Sequence, residues 1–186
     1  QALETISQLP EARRVVAMGL SDAHSPDVAT AAGIWRTNAM PCGDDSGLFA
    51  LACRTNHACR PNARWCWRAD LGCQLVIAMR PIAAGEEITV AYRKKFEGRA
   101  DRRAHLQEHF CFTCTCPLCS GPEDTSFDEQ MKELQGNIDQ LPGACRTDMP
   151  HALRLSERTL QLLSATALDT PVVAGTVHYE AYQLAR

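Results

Sequence analysis

The chain has 186 residues, 45% of them hydrophobic and 22% charged, with a formal net charge of -3 and ten cysteines. No apolar run approaches the roughly 18 residues of a membrane-crossing helix, and the slightly acidic balance lacks the basic surface of a general nucleic-acid binder. This size fits one domain with an extension, or two small units. Ten cysteines without a signal-like segment read as thiols of a reducing compartment, nucleus or cytoplasm, and not as a secreted disulfide scaffold. A start at Gln1 in place of methionine reads as a fragment, a processed chain or an incomplete gene model.

Leu3, Ile6 and Leu9, then Val15, Val16 and Met18, predict two short packing helices around Pro10. Ser25-Pro26-Asp27 predicts a helix start, continued by Val28, Ala31 and Ala32. Residues 47–52 read as a strand entering the loop Asn56-His57-Ala58-Cys59-Arg60-Pro61-Asn62, where Pro61 excludes helix and Asn62 tolerates turn geometry. Residues 63–68 lead out as a strand, and the Asp70-Leu71-Gly72 turn returns 73–79 antiparallel to it. After a second turn, Gly85-Glu86-Glu87-Ile88-Thr89-Val90-Ala91-Tyr92 places Ile88, Val90 and Tyr92 on one face of a strand that Tyr92 ends. Short strands at this spacing predict a small all-β body.

Arg93, Lys94, Lys95, Arg99, Arg102 and Arg103 form a basic cluster, read as a solvated helix face or, alternatively, as a dock for an acidic partner surface. Residues 101–110 read as a helix with Leu106 and Phe110 facing inward. Past Gly121-Pro122, three apolar stripes predict helices packed as antiparallel hairpins: Met131, Leu134, Ile138 and Leu141; Leu153, Leu160 and Leu163; Val173, Val177, Ala181 and Leu184.

Cys114, Cys116 and Cys119 put three thiols within six residues, whereas a tetrahedral zinc site wants four ligands from Cys or His. Cys59 is taken as the distant fourth, with nearby Cys111 competing and ordinary thiols as the alternative to a metal. Four thiolates would close the site to substrate and make the ion structural. Cys42, Cys53, Cys66, Cys73, Cys111 and Cys145 then remain as small, free-thiol hydrophobes. His24, His105, His109, His151 and His178 read as surface residues, and His57 on residue chemistry alone as a histidine bonded between loop and strand. Glu86 and Glu87 read as one solvent-facing and one loop-supporting carboxylate, not as an acid/base pair.

The order Asn-His-x-Cys-x-Pro-Asn, Gly-Glu-Glu-Ile-x-x-x-Tyr, Cys-x-Cys-x-x-Cys resembles the SET-domain protein lysine methyltransferases, and most of all their SET and MYND subgroup and its fungal relatives, over roughly residues 33–119. The resemblance implies an α+β fold: a partial SET-type body of short strands, a zinc-bound post-SET cysteine cluster and a helical C-terminal extension. Its parts would be a helical lead-in at 1–32, the C-terminal part of the SET domain at 33–110, the cluster at 111–121 and the extension at 122–186.

It also implies S-adenosylmethionine as cofactor, with Asn38, Asn56, His57, Tyr92 and Phe112 in its site, Tyr92 as the catalytic residue, and a structural zinc ion on Cys59, Cys114, Cys116 and Cys119. The partner would be a protein substrate offering a lysine, histone or otherwise, with no direct nucleic acid and no membrane. The family's earlier paired-glycine strand and MYND zinc module are not found in residues 1–33. This predicts weak or no activity for the isolated chain, and a non-catalytic, zinc-stabilised SET-like interaction module is the alternative. A zinc-finger nucleic-acid binder is disfavoured, because no basic, base-reading helix follows the cysteines.

Overall fold

A computed structural model describes residues 6–25, 27–93, 96–122, 124–166 and the single positions 168, 175, 177 and 179. The chain divides into two compact units: Gln1–Tyr92 with Arg103–Cys119, and Arg93–Arg102 with Ser120–Arg186. Of the positions singled out in the sequence, Leu3, Pro26, Lys94, Lys95, Val173, His178, Ala181 and Leu184 lie outside the described residues.

Residues 6 and 7 are helical with Ile6 buried, and the first helix described in full is α1, Glu11–Met18, entered through Pro10. Only Ala17 of this helix is buried; Val15, Val16 and Met18 are exposed, so the expected apolar packing face is not what holds it. Helix α2 is Ala31–Asn38, capped by Thr30, whose hydroxyl accepts the Gly33 N–H at 3.0 Å. The start expected at Ser25 is overridden by Asp22. Its Oδ1 accepts the N–H groups of His24 and Ser25 at 2.9 Å each, and its Oδ2 accepts that of Thr30 at 2.9 Å, which folds this stretch into a loop and leaves Val28 exposed.

A tight hairpin follows, β1 (Met40–Cys42) antiparallel to β2 (Asp45–Gly47), turning at Gly43 with φ 76°. The strand expected over 47–52 therefore stops where it was to begin. Its remainder enters a 3-10 turn at Ala52–Arg54, where the Cys53 sulfur accepts the Phe49 N–H at 3.1 Å. Asn56–His57, read as loop, forms a short strand β3 parallel to β6, Thr89–Val90. Between them, β4 (Ala63–Arg68) and β5 (Cys73–Ala78) pair antiparallel from Ala63 opposite Ala78 to Arg68 opposite Cys73, as the alternation and turn residues predict. The expected all-β body is thus three two-stranded ladders among helices, a mixed helix and strand architecture. Ile34, Met40, Ala63 and Val90 are buried, but Ile88 is exposed, because β6 is too short to carry the expected alternation back to it.

Helix α3, Arg99–Phe110, buries Leu106, and a single turn α4, Pro117–Ser120, carries Cys119. The second unit is dominated by α5 (Thr125–Thr147) and α6 (Met149–Ala165), joined at Asp148 and sharing a core of Leu141, Ala144, Ala152 and Leu155. Asn137 and not Ile138 completes the buried face of α5. On α6, Ala152, Leu155, Ser156, Thr159, Leu162 and Leu163 are buried while Leu153 is exposed. The hydroxyls of Ser156 and Thr159 satisfy themselves on carbonyls four residues back, at 2.9 and 2.6 Å, so these residues enter the core without an orphaned donor.

The solvated basic face is also corrected. Arg102 is 7% exposed, donates to the Glu97 carbonyl at 2.6 Å and sits over the Phe127 ring; Arg99 donates to the Gly121 carbonyl at 2.9 Å; Arg93 pairs with Glu97. These cations hold the second unit together internally.

Candidate metal centre and aromatic site

Asn62, 2% exposed, organises the loop. Its amide nitrogen donates to Glu86 Oε1 at 2.9 Å and to the Glu87 carbonyl at 2.8 Å, and its oxygen accepts the Thr89 N–H at 2.9 Å. The Gly-Glu-Glu turn is thereby held against the Asn-His loop. Glu86 also takes Arg80 and the Ala83 N–H, and the Arg80 guanidinium, with the Asn62 amide, brings its carboxyl down to about 2. Glu87, the exposed one of the pair, still accepts from Asn56 Nδ2 at 2.6 Å.

The loop brings Cys59 to the cysteine hook. The sulfurs of Cys59, Cys114, Cys116 and Cys119 all lie within 4.8 Å of one another, with Cys59 at 3.5 Å from Cys119 and 4.0 Å from Cys114. Tetrahedral zinc at about 2.3 Å from each sulfur would set neighbouring sulfurs about 3.8 Å apart, so the donor set fits. Cys114 and Cys119 are buried. A hydrogen bond with Cys59 holds the Cys116 thiol down to about 4, the same pairing pushes Cys59 up, and burial raises Cys114 to about 11. Sulfurs crowded in this way are what a dication relieves.

Cys111 is not among the four. Its sulfur faces His24 Nδ1 at 3.4 Å, which also removes His24 from the surface histidines. His105 is half-buried, and its ring meets that of His109 with centroids 4.2 Å apart.

Tyr92 stands beside this centre. Its hydroxyl donates to the Thr55 carbonyl at 2.8 Å, and its ring is stacked on Trp65 at 5.7 Å, with Phe110 at 4.9 Å, His57 at 5.3 Å and the edge of Phe112 at 6.3 Å. Burial pushes its phenol pKa up, so it stays protonated at neutral pH. His57 has both ring nitrogens engaged, Nδ1 with the Tyr92 N–H at 3.1 Å and Nε2 with Cys59 Sγ at 3.4 Å. Asn38 is buried, its amide nitrogen donating to the carbonyls of Ser21 and Ile34, both at 2.7 Å.

Residues 14–93 match the family model described as SET domain. Over this stretch the chain is similar to a SET domain. Among curated proteins, the chain is 36% identical over 105 residues to a histone-lysine N-methyltransferase, set5, of Schizosaccharomyces pombe, covering 56% of this chain and 33% of that protein. It is 34% identical over 103 residues to the protein-lysine N-trimethyltransferase SMYD5 of Gallus gallus, covering 52% and 24%. To the histone-lysine N-methyltransferase SMYD3 of Mus musculus it is 33% identical over 101 residues, covering 51% and 23%. The chain thus spans between about a quarter and a third of the length of these relatives.

Asn38, Asn56, His57, Cys59 and Tyr92 fall inside the matched SET segment; Phe112 and the three clustered cysteines follow it. Sequence reasoning missed Thr55 and Trp65, which hold Tyr92 from two sides. The Trp65 indole N–H donates to Thr55 Oγ1 at 3.1 Å, while the Thr55 carbonyl takes the phenol. The available signal was the inward alternation of β4, which puts an aromatic at position 65; nothing local marks Thr55.

Proposed function

We propose that this chain is the tyrosine-bearing part of an S-adenosylmethionine-dependent protein-lysine N-methyltransferase, with a structural zinc ion on Cys59, Cys114, Cys116 and Cys119. The observation that carries the reading is the Tyr92 hydroxyl, whose single proton is spent on the Thr55 carbonyl within a nest of aromatic rings. An oxygen so committed offers lone pairs outward, and can accept an N–H from a substrate amine and so aim the nitrogen lone pair. Because burial keeps the phenol neutral, Tyr92 positions the amine and does not remove its proton. The lysine, with a reference pKa of about 10.4, must lose that proton to water or through burial. In-line placement can supply about 7 to 11 kcal/mol, so no protein nucleophile is required.

S-adenosylmethionine, when bound, supplies the electrophilic methyl on a sulfonium. Asn38, Asn56, His57, Tyr92 and Phe112 would hold it. The ring faces of Tyr92 and Phe112 suit a cation. The amide nitrogens of Asn38 and Asn56 and the His57 ring are already engaged, so these three positions have amide oxygens and main-chain groups to offer. Four thiolates leave zinc no open position, and its work would be to pin residues 114–119 to the loop. The substrate would be a histone or other protein lysine. With four of the ten cysteines assigned to zinc as thiolates, the reading takes a reducing compartment, nucleus or cytoplasm, as the setting.

The test is transfer of labelled methyl to histones and to a cell extract, by this chain and by the intact gene product. Tyr92→Phe should lower turnover on the order of a hundredfold while leaving cofactor affinity nearly unchanged. An unchanged rate removes Tyr92 from the mechanism, and no transfer by either protein removes the reading.

A further inference from the structure

His57 makes two hydrogen bonds that lead to different parts of the site. The Tyr92 backbone N–H can only donate, so His57 Nδ1, 3.1 Å away, is the bare nitrogen and the ring proton sits on Nε2. That proton faces Cys59 Sγ at 3.4 Å. The same short segment also receives the Tyr92 hydroxyl, on the Thr55 carbonyl at 2.8 Å. Residues 55–59 therefore grip Tyr92 at backbone and at hydroxyl, and are anchored at the far end by one sulfur of the cluster.

We infer that His57 is a positioning residue that couples occupancy of the four-sulfur site to the placement of Tyr92. The inference rests on the metal reading given above. An ion in the four-sulfur site fixes where Cys59 Sγ stands and, through the 3.4 Å contact, the Nε2 end of the His57 ring. A shift of that sulfur turns the ring and displaces Nδ1 from the Tyr92 N–H it accepts. Losing that bond loosens the residue whose hydroxyl is to meet the substrate amine. The ion thus acts on the aromatic site without touching it, through one bridging ring.

Two substitutions split the two bonds. His57→Asn puts an amide oxygen where Nδ1 was and keeps the acceptor for Tyr92; His57→Gln puts an amide nitrogen near Nε2 and keeps the donor to Cys59. The readouts are the Tyr92 backbone amide and Trp65 indole resonances of the full chain, followed by NMR while zinc is exchanged for the larger cadmium ion, and zinc affinity by chelator competition. In the wild type both resonances should move on exchange while amides of the 63–78 hairpin stay put, and the movement should vanish in either variant. Zinc affinity should fall on the order of tenfold in His57→Asn and stay within about threefold in His57→Gln.

A wild-type Tyr92 amide that ignores the exchange overturns the inference, even if neither variant folds. So does a response that survives in His57→Asn, or a chain that takes up neither ion. None of these measurements uses methyl transfer. Coupled resonances in an inactive chain uphold the coupling and sink the catalytic reading; an active chain with an unresponsive Tyr92 does the reverse.

Discussion

Asn62 shows how much one buried amide can carry. All three of its side-chain hydrogen bonds go to the turn and strand that lead to Tyr92, so truncation removes the register between β3 and β6 and orphans the Thr89 N–H. Asn62→Ala should cost roughly 3 kcal/mol in thermal or urea unfolding. Glu86, the partner of Asn62, makes the site acid-sensitive. Its folded-state pKa of about 2 lies below the ordinary value of 4.5, so its contribution is fully present above about 4.5 and is lost as pH falls towards 2. Glu86→Gln should flatten the stability profile in that window and leave the slope near neutrality unchanged, as read by thermal melts across pH. The role of His57 also belongs to this scale. A motif shows that a histidine is present, but only coordinates show that both nitrogens are spent on the protein.

Among the elements, α2 carries a prediction whose sign propensity alone would get wrong. Replacing Gly33 by Ala inside a helix ordinarily stabilises by up to about 1 kcal/mol. Here the added methyl would stand 2.0 Å from Asp22 Oδ2, the carboxylate that accepts the N–H groups of His24, Ser25 and Thr30. Gly33→Ala should therefore lower the melting temperature, and Asp22→Ala in that background should recover nothing, because it frees the same three donors. This loop also marks where sequence reading stops. The β4 and β5 hairpin was legible because alternation and an Asp-Leu-Gly turn are local signals, and the fourth sulfur was sought because tetrahedral coordination demands it. The Thr55 carbonyl under Tyr92 depends on a side chain meeting backbone 37 residues away, which no short window of sequence displays. The Asp22 loop and the β1–β2 hairpin are local, but the one is made by a carboxylate taking backbone N–H groups and the other by strands of three residues, and apolar periodicity registers neither. On α6 the search for large apolar residues chose exposed Leu153 over buried Ala152, because small and hydroxyl residues can line a close helix contact once their hydroxyls bond within the helix.

For the whole molecule, the decisive contrast is between a unit whose ends are gathered on four sulfurs and one held by helix packing. The first unit returns residues 103–119 to a loop near position 59, and among the described residues the cluster is the one group of metal-type ligands that could clasp this return. A structural zinc ion contributes on the order of 10 kcal/mol or more of apparent binding energy, comparable to the ~5 to 15 kcal/mol that hold a whole domain folded. The second unit has its own core of Leu141, Ala144, Ala152 and Leu155, a cap at Asp148 that accepts the His151 N–H at 3.0 Å, and an Arg158–Glu133 pair across its two long helices, none of which needs a metal. Scanning calorimetry of the zinc-loaded chain should then show two transitions. A strong chelator should abolish the one that includes the 63–78 hairpin and shift the other by less than about 2 °C. Cys114→Ser should reproduce the chelator's effect without it, since a hydroxyl is a poor ligand for the ion. A chelated chain that keeps both transitions would show that packing around Leu106 holds the return without the metal.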